Sequence, residues 1–123
     1  MAQDINAVAQ QFVQYYYGLF QTNREGLRSL FTADSMLTFE SEQFKGVDAI
    51  MEKFNSLTAG TIVHQVHTLD AQPSSTPGAI LVLVSGTLQL DQDAPLKFSQ
   101  VFHLNSSGAS YFCYNVLFRL NLG

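Results

Sequence analysis

Tyr111-Phe112-Cys113-Tyr114-Asn115-Val116-Leu117-Phe118-Arg119-Leu120 is the run whose reading decides the fold. Its even positions, Phe112, Tyr114, Val116, Phe118 and Leu120, are all apolar or aromatic. Its odd positions mix Tyr111, Cys113, Asn115, Leu117 and Arg119. A period of two is the signature of a strand with unlike faces. The run 79–90 repeats the pattern, with Ile80, Val82, Val84, Gly86, Leu88 and Leu90 against Leu81, Leu83, Ser85, Thr87 and Gln89. Together with about 61–71 and 97–105 these runs predict four sequential strands joined by short turns, an antiparallel meander. Pro73-Ser74-Ser75-Thr76-Pro77-Gly78 reads as one of its hairpin loops. One strand face is apolar enough for a core. The other is too apolar for open water and too polar for a core, the character of a sheet-to-sheet dimer interface.

Upstream of the meander the period changes to that of helices. Asp4 is placed to cap a first helix carrying Val8, Phe12, Tyr15, Tyr16 and Leu19 on its apolar side. Thr22 or Asn23 can cap a short second helix with Leu27, Leu30 and Phe31. Met36–Phe39 reads as extended, and a third helix begins near Gly46. Val47, Ile50, Met51, Phe54 and Leu57 form one stripe along it, and Gly60 is its stop signal. Helices covering one face of a curved, mainly antiparallel sheet define an α+β fold, and 1–123 reads as a single domain.

Composition narrows the function. Six Lys+Arg against ten Asp+Glu give a net charge of −4, which argues against binding nucleic acid through its backbone. No apolar run has the length of a membrane span, and no signal peptide is recognised. Charged residues make up 13% of the chain against a usual value of about 25%. So much apolar material on so little charge implies a hidden surface: a pocket, a dimer face, or both.

Few side chains suggest chemistry. His64 and His67 lie three apart on a strand, so they point to opposite faces and cannot grip one metal. His103 stands alone in an apolar strand, and Cys113 reads as a packed thiol; neither marks a metal or catalytic site. The acids are more suggestive. Glu40 follows Phe39 at the end of an extended segment, close to Asp34 and Glu42, and Asp91 and Asp93 follow a strand. If both segments border one concavity, the result is an apolar hole with an acidic rim. It suits a partner that offers an aromatic flanked by Lys or Arg.

The segments Leu37–Glu40, Gln43–Gly46, Ala49–Leu57, Leu69–Pro73, Phe98–Leu104 and Asn115–Leu120 resemble the nuclear transport factor 2 family, in order and nearly end to end. The resemblance implies a cone-shaped fold with a hydrophobic cavity, a homodimer packed through its sheets, and no enzymatic activity or cofactor. It implies binding of the small GTPase Ran in its GDP form and of phenylalanine-glycine nucleoporin repeats. The consequence would be carriage of Ran-GDP from cytoplasm to nucleus through the nuclear pore. By position, Glu40, Asp91 and Asp93 match the family's Ran-binding acids. Phe39, Leu57, Ile62, Leu96 and Phe118 match the cavity that receives a Ran phenylalanine. Leu83 and Leu117 match the dimer interface, and Ile5 stands where many members place a repeat-binding aromatic. Two other readings remain at this stage. A small cavity enzyme would use Glu40 as base with Tyr114 as a donor facing the cavity; a generic dimerisation module would have the fold without Ran binding.

Overall fold

The computed structural model describes residues 4–57 and 60–121. Helix α1 spans Ile5–Thr22, a 3-10 helix spans Arg24–Leu30, and helix α2 spans Val47–Leu57. The strands are β1 (Met36–Phe39), β2 (Glu42–Lys45), β3 (Ile62–Pro73), β4 (Ile80–Leu90), β5 (Leu96–Ser107) and β6 (Ser110–Leu120). They form one six-stranded sheet in the order β2-β1-β6-β5-β4-β3. The meander β3–β6 is antiparallel, and only the β1–β6 pairing is parallel.

Asp4 caps α1 as the sequence indicates, its carboxylate accepting from the backbone N–H of Asn6 and Ala7. The helix buries Ala9, Phe12, Val13, Tyr16, Tyr17 and Phe20. Tyr15 was expected on the apolar side but is 56% exposed. At 100° per residue the buried stripe centres on Val13, Tyr16, Tyr17 and Phe20, and Tyr15 falls outside it. The second helix is a single 3-10 segment whose Leu27 and Leu30 are buried. The stripe of α2 is as read, with Ile50, Met51 and Phe54 buried; its stop lies next to residues outside those described.

Two bulges reset the faces of the sheet. In β6 the register runs His103↔Asn115 and then Leu104↔Cys113, which leaves Tyr114 as the extra residue. One extra residue reverses the alternation beyond it. Cys113 is therefore fully buried, and Tyr114 is 39% exposed on the outer face, edge-on to His103. This corrects the expectation that all even positions of the strand share the core. In β3 the register steps from Val66↔Gly86 to Thr68↔Ser85, and His67 is the residue left over. The bulged backbone presses on Gly86, where an added Cβ would lie 1.9 Å from the Gln65 carbonyl oxygen. Only glycine fits so close an approach.

The core lies between the helices and one face of the sheet. Phe98, Phe102 and Leu104 of β5, Val82 and Val84 of β4 and Leu37 of β1 meet Tyr16, Leu27, Ile50 and Phe54 of the helices there.

Candidate functional site: an apolar cavity with an acidic rim

The helices do not fill the whole inner face. A cavity of about 130 Å³ remains, lined by Phe20, Phe39, Phe54, Leu57, Ile62, His64, Leu88, Leu90, Leu96, Gln100, Phe118 and Leu120, among others. All five residues expected in the cavity, Phe39, Leu57, Ile62, Leu96 and Phe118, line it. They come from β1, α2, β3, β5 and β6, so no local segment could build the site alone. Phe39 and Phe118 are register partners in the parallel pair, and their rings stack at 4.6 Å and 9°. Phe98 backs this wall from within the core, stacked on Phe118 at 5.5 Å.

The rim acids sit next to lining residues on constrained turns. Glu40 and Ser41 connect β1 to β2, and both have positive φ, 52° and 77°. A two-residue hairpin of this kind favours Asn-Gly because the left-handed region is costly for other residues. The strain is offset locally. The backbone N–H of Glu40 donates to the Phe118 carbonyl at 3.1 Å, and the N–H of Leu120 donates to Glu40 Oε1 at 2.5 Å. The carboxylate thus takes the place of a backbone acceptor at the end of the β1–β6 ladder, which fixes its position.

Asp91 repeats the device at the end of β4. Its φ is 52°. Its N–H donates to the Thr61 carbonyl, and its Oδ1 accepts from the Thr61 N–H, both at 2.8 Å. An added Cβ on Gly60 would lie 1.9 Å from Asp91 Oδ1, so glycine admits the carboxylate. Two of the three non-glycine residues with positive φ among those described are rim acids. Asp93 is exposed in the same turn, its N–H bonded to the Leu90 carbonyl.

Further residues shape the site. Arg24 donates to the carbonyls of Phe54 and Gly60 and lies over the Phe20 ring, tying the helices to the turn beside Asp91. Lys53 stands 5.2 Å over the Phe39 ring and pairs with Glu42 at 3.1 Å, a cation beside the acidic rim. Glu42 itself opens strand β2. Inside the cavity, Gln100 accepts from the Tyr17 hydroxyl at 2.7 Å, and the His64 ring stacks on Tyr17 at 4.2 Å. Burial lowers the His64 pKa to about 3, so its imidazole is neutral at physiological pH. Burial also pushes the Tyr17 hydroxyl and the Cys113 thiol up, and neither ionises near neutrality. Gln100 did carry a sequence signal: it is the one polar residue in the inward series Leu96, Phe98, Gln100, Phe102 and Leu104.

On the opposite face, Leu83, Val101 and Leu117 lie in one register row across β4, β5 and β6. Leu83 and Leu117 are 49% and 50% exposed. Ile5 is half-buried in the first turn of α1 and packs against the core. Among the described residues, no group of three His, Cys, Asp or Glu side chains is placed to hold a metal. Among the same residues no helix is long and apolar enough to cross a membrane. With Tyr114 turned to the outer face, the hydrogen-bond donor of the enzyme reading is gone from the cavity.

An apolar cavity, with carboxylates held next to its lining residues, is the kind of site a binding domain carries. Residues 8–120 match the nuclear transport factor 2 (NTF2) domain. The chain is 50% identical over 119 residues to nuclear transport factor 2 of Emericella nidulans, covering 95% of each. It is 47% identical over 122 residues to that of Saccharomyces cerevisiae, covering 98% of each. The solved structure of nuclear transport factor 2 from Cryptosporidium parvum matches with a TM-score of 0.91 at 43% identity, over 98% of each chain. The chain belongs to the nuclear transport factor 2 family, which is named for transport and not for catalysis.

Proposed function

We propose that this protein is a nuclear import carrier: a homodimer that binds Ran-GDP in its cavity and phenylalanine-glycine repeats of nucleoporins elsewhere. It would shuttle between cytoplasm and nucleus through the nuclear pore. The observation that carries the reading is the aromatic-walled cavity of about 130 Å³, with the Glu40 carboxylate bonded to the N–H of the lining residue Leu120. A dry cavity of roughly 150 Å³ takes up benzene, so this one has the size for a single phenylalanine ring. The ring supplies affinity. Glu40, Asp91 and Asp93 supply register and on-rate toward a basic flank. Discrimination between nucleotide states then needs no contact with the nucleotide. It needs a switch segment that presents its aromatic only with GDP bound.

The second copy docks through the Leu83–Val101–Leu117 row, whose Leu83 and Leu117 stand half exposed among the described residues. Ile5 is the position the family resemblance gives for the repeats. As a half-buried aliphatic it offers them less than an aromatic, by about 0.5–1.5 kcal/mol. Repeat affinity should therefore draw on further residues.

The test is capture of the protein on immobilised Ran loaded with GDP or with a GTP analogue. Binding to the GDP form alone, and its loss by at least about a hundredfold in Glu40→Lys through like-charge repulsion, is the expected result. A folded Glu40→Lys variant that binds Ran-GDP as tightly as wild type would sink the assignment.

A further inference from the structure

Strands β3 to β6 carry only three Asp, Glu, Lys or Arg residues: Asp70 on β3, Lys97 on β5 and Arg119 on β6. All three are exposed. Leu69 and Ala71 pack against the core, so Asp70 between them faces outward. It lies opposite Leu83, on the edge of a shallow concavity shared with Leu81 and Val101. Phe118 is buried and Leu120 lines the cavity, so Arg119 between them faces outward too. It lies opposite Ser99 and two residues beyond Leu117, with Lys97 two residues before Ser99. The outer row Leu83–Val101–Leu117 thus has an acid beside its Leu83 end and a base beside its Leu117 end. Among the described residues neither the Asp70 nor the Arg119 side chain has an ion-pair or hydrogen-bond partner.

We propose that Asp70 of one copy pairs with Arg119 of a second copy, twice per dimer, and that this exchange sets the dimer's register and selects a second copy of this chain as the partner. The inference rests on the dimer reading above; the charges add the reason for a like partner. A two-fold axis at the middle of the row lays Leu83 against the partner's Leu117, and Leu117 against the partner's Leu83. The same rotation carries Asp70 toward the partner's Arg119 at one end, and Arg119 toward the partner's Asp70 at the other. The two charges stand one row apart on the sheet, an offset that the long arginine side chain spans. Its planar fork then takes the carboxylate in a two-bond pair, which fixes direction as well as contact. A face with one sign of charge repels its own copy. This one carries both signs, on opposite sides of its apolar row, and is complementary to itself.

The test is charge exchange, read by sedimentation equilibrium. Asp70→Arg sets like charges together at both ends of its own dimer, and Arg119→Asp does the same with the opposite sign. Each variant alone should dimerise at least about tenfold more weakly than wild type. Mixed in equal amounts, the two variants regain opposite charges at both ends. The mixed dimer should then come within about threefold of the wild-type dissociation constant. Recovery on mixing also shows that both chains are folded. A single variant that dimerises as tightly as wild type, or two weakened variants that fail to recover when mixed, would overturn the pair and leave the dimer reading in place. A wild-type protein that stays monomeric at the highest concentration reached would overturn both.

Discussion

On the inner face of the sheet Phe98, Phe102 and Leu104 are completely covered, whereas on the outer face Leu83 and Leu117 of the neighbouring strands β4 and β6 stand about half exposed. The same strands build both faces, and alternation alone assigns each residue to one. What differs is the cover. α1, the 3-10 helix and α2 close the inner face except at the cavity, and among the described residues nothing closes the outer one. The difference teaches that one sheet can present two surfaces of unlike shape: a concave one that encloses an apolar cavity, and an open one with an uncovered apolar row. Substitutions on the two faces should therefore have unlike consequences.

The largest effect belongs inside. Phe98→Ala removes a fully buried ring that touches Tyr17, His64 and Phe118. It is expected to cost about 3–5 kcal/mol in urea unfolding. A loss under about 1 kcal/mol would mean that the inner face is loosely packed. Outside, Leu117→Asp should leave the fold of one copy nearly unchanged but weaken self-association by at least about a hundredfold, because it places a charge at the centre of the apolar row. Sedimentation equilibrium reads this directly. A variant still dimeric at micromolar concentration would remove the outer face from the interface.

A smaller effect separates the faces by pH. His64 points inward, with its pKa held by burial at about 3 against the ordinary 6.5. Between those values the unfolded chain binds a proton that the folded chain refuses, so stability falls as pH falls through that window. From pH 7 to pH 5 the wild type should lose about 1–2 kcal/mol more than His64→Phe, the carboxylates cancelling in the comparison. Parallel pH profiles would show that the imidazole is solvated in the fold. The smallest effect tests the rim. Ser41→Gly relieves a positive φ at an exposed position and should stabilise the fold by up to about 1 kcal/mol. Destabilisation there would mean that the hairpin carries no strain.

Much of this arrangement is legible in the sequence, because period-two and period-3.6 patterns are local. Asp4 as cap, the α2 stripe, the meander and the opposed directions of Leu117 and Phe118 all follow from such patterns. Strand β2 is not legible in that way: Glu42-Gln43-Phe44-Lys45 has one apolar residue, and its pairing with β1 comes from the left-handed Glu40-Ser41 turn, which lacks the usual Asn-Gly. The parallel pairing of β1 with β6 joins segments nearly eighty residues apart, and no local period reports it. Tyr114 was misplaced because a bulge resets alternation without marking the sequence. All five residues expected in the cavity line it, yet Gln100 was passed over and His64 was weighed only as a metal ligand. Polarity at an inward position reads as an exception until the cavity around it is visible.

The most direct test of the two-faced account is sedimentation of the protein mixed with excess Ran-GDP. If one face takes the partner and the other takes a second copy, the complex should contain two copies of this chain and two of Ran, and its mass should persist when Ran is in excess. A complex of one copy with one Ran, or a dimer that excludes Ran, would contradict the independence of the two faces.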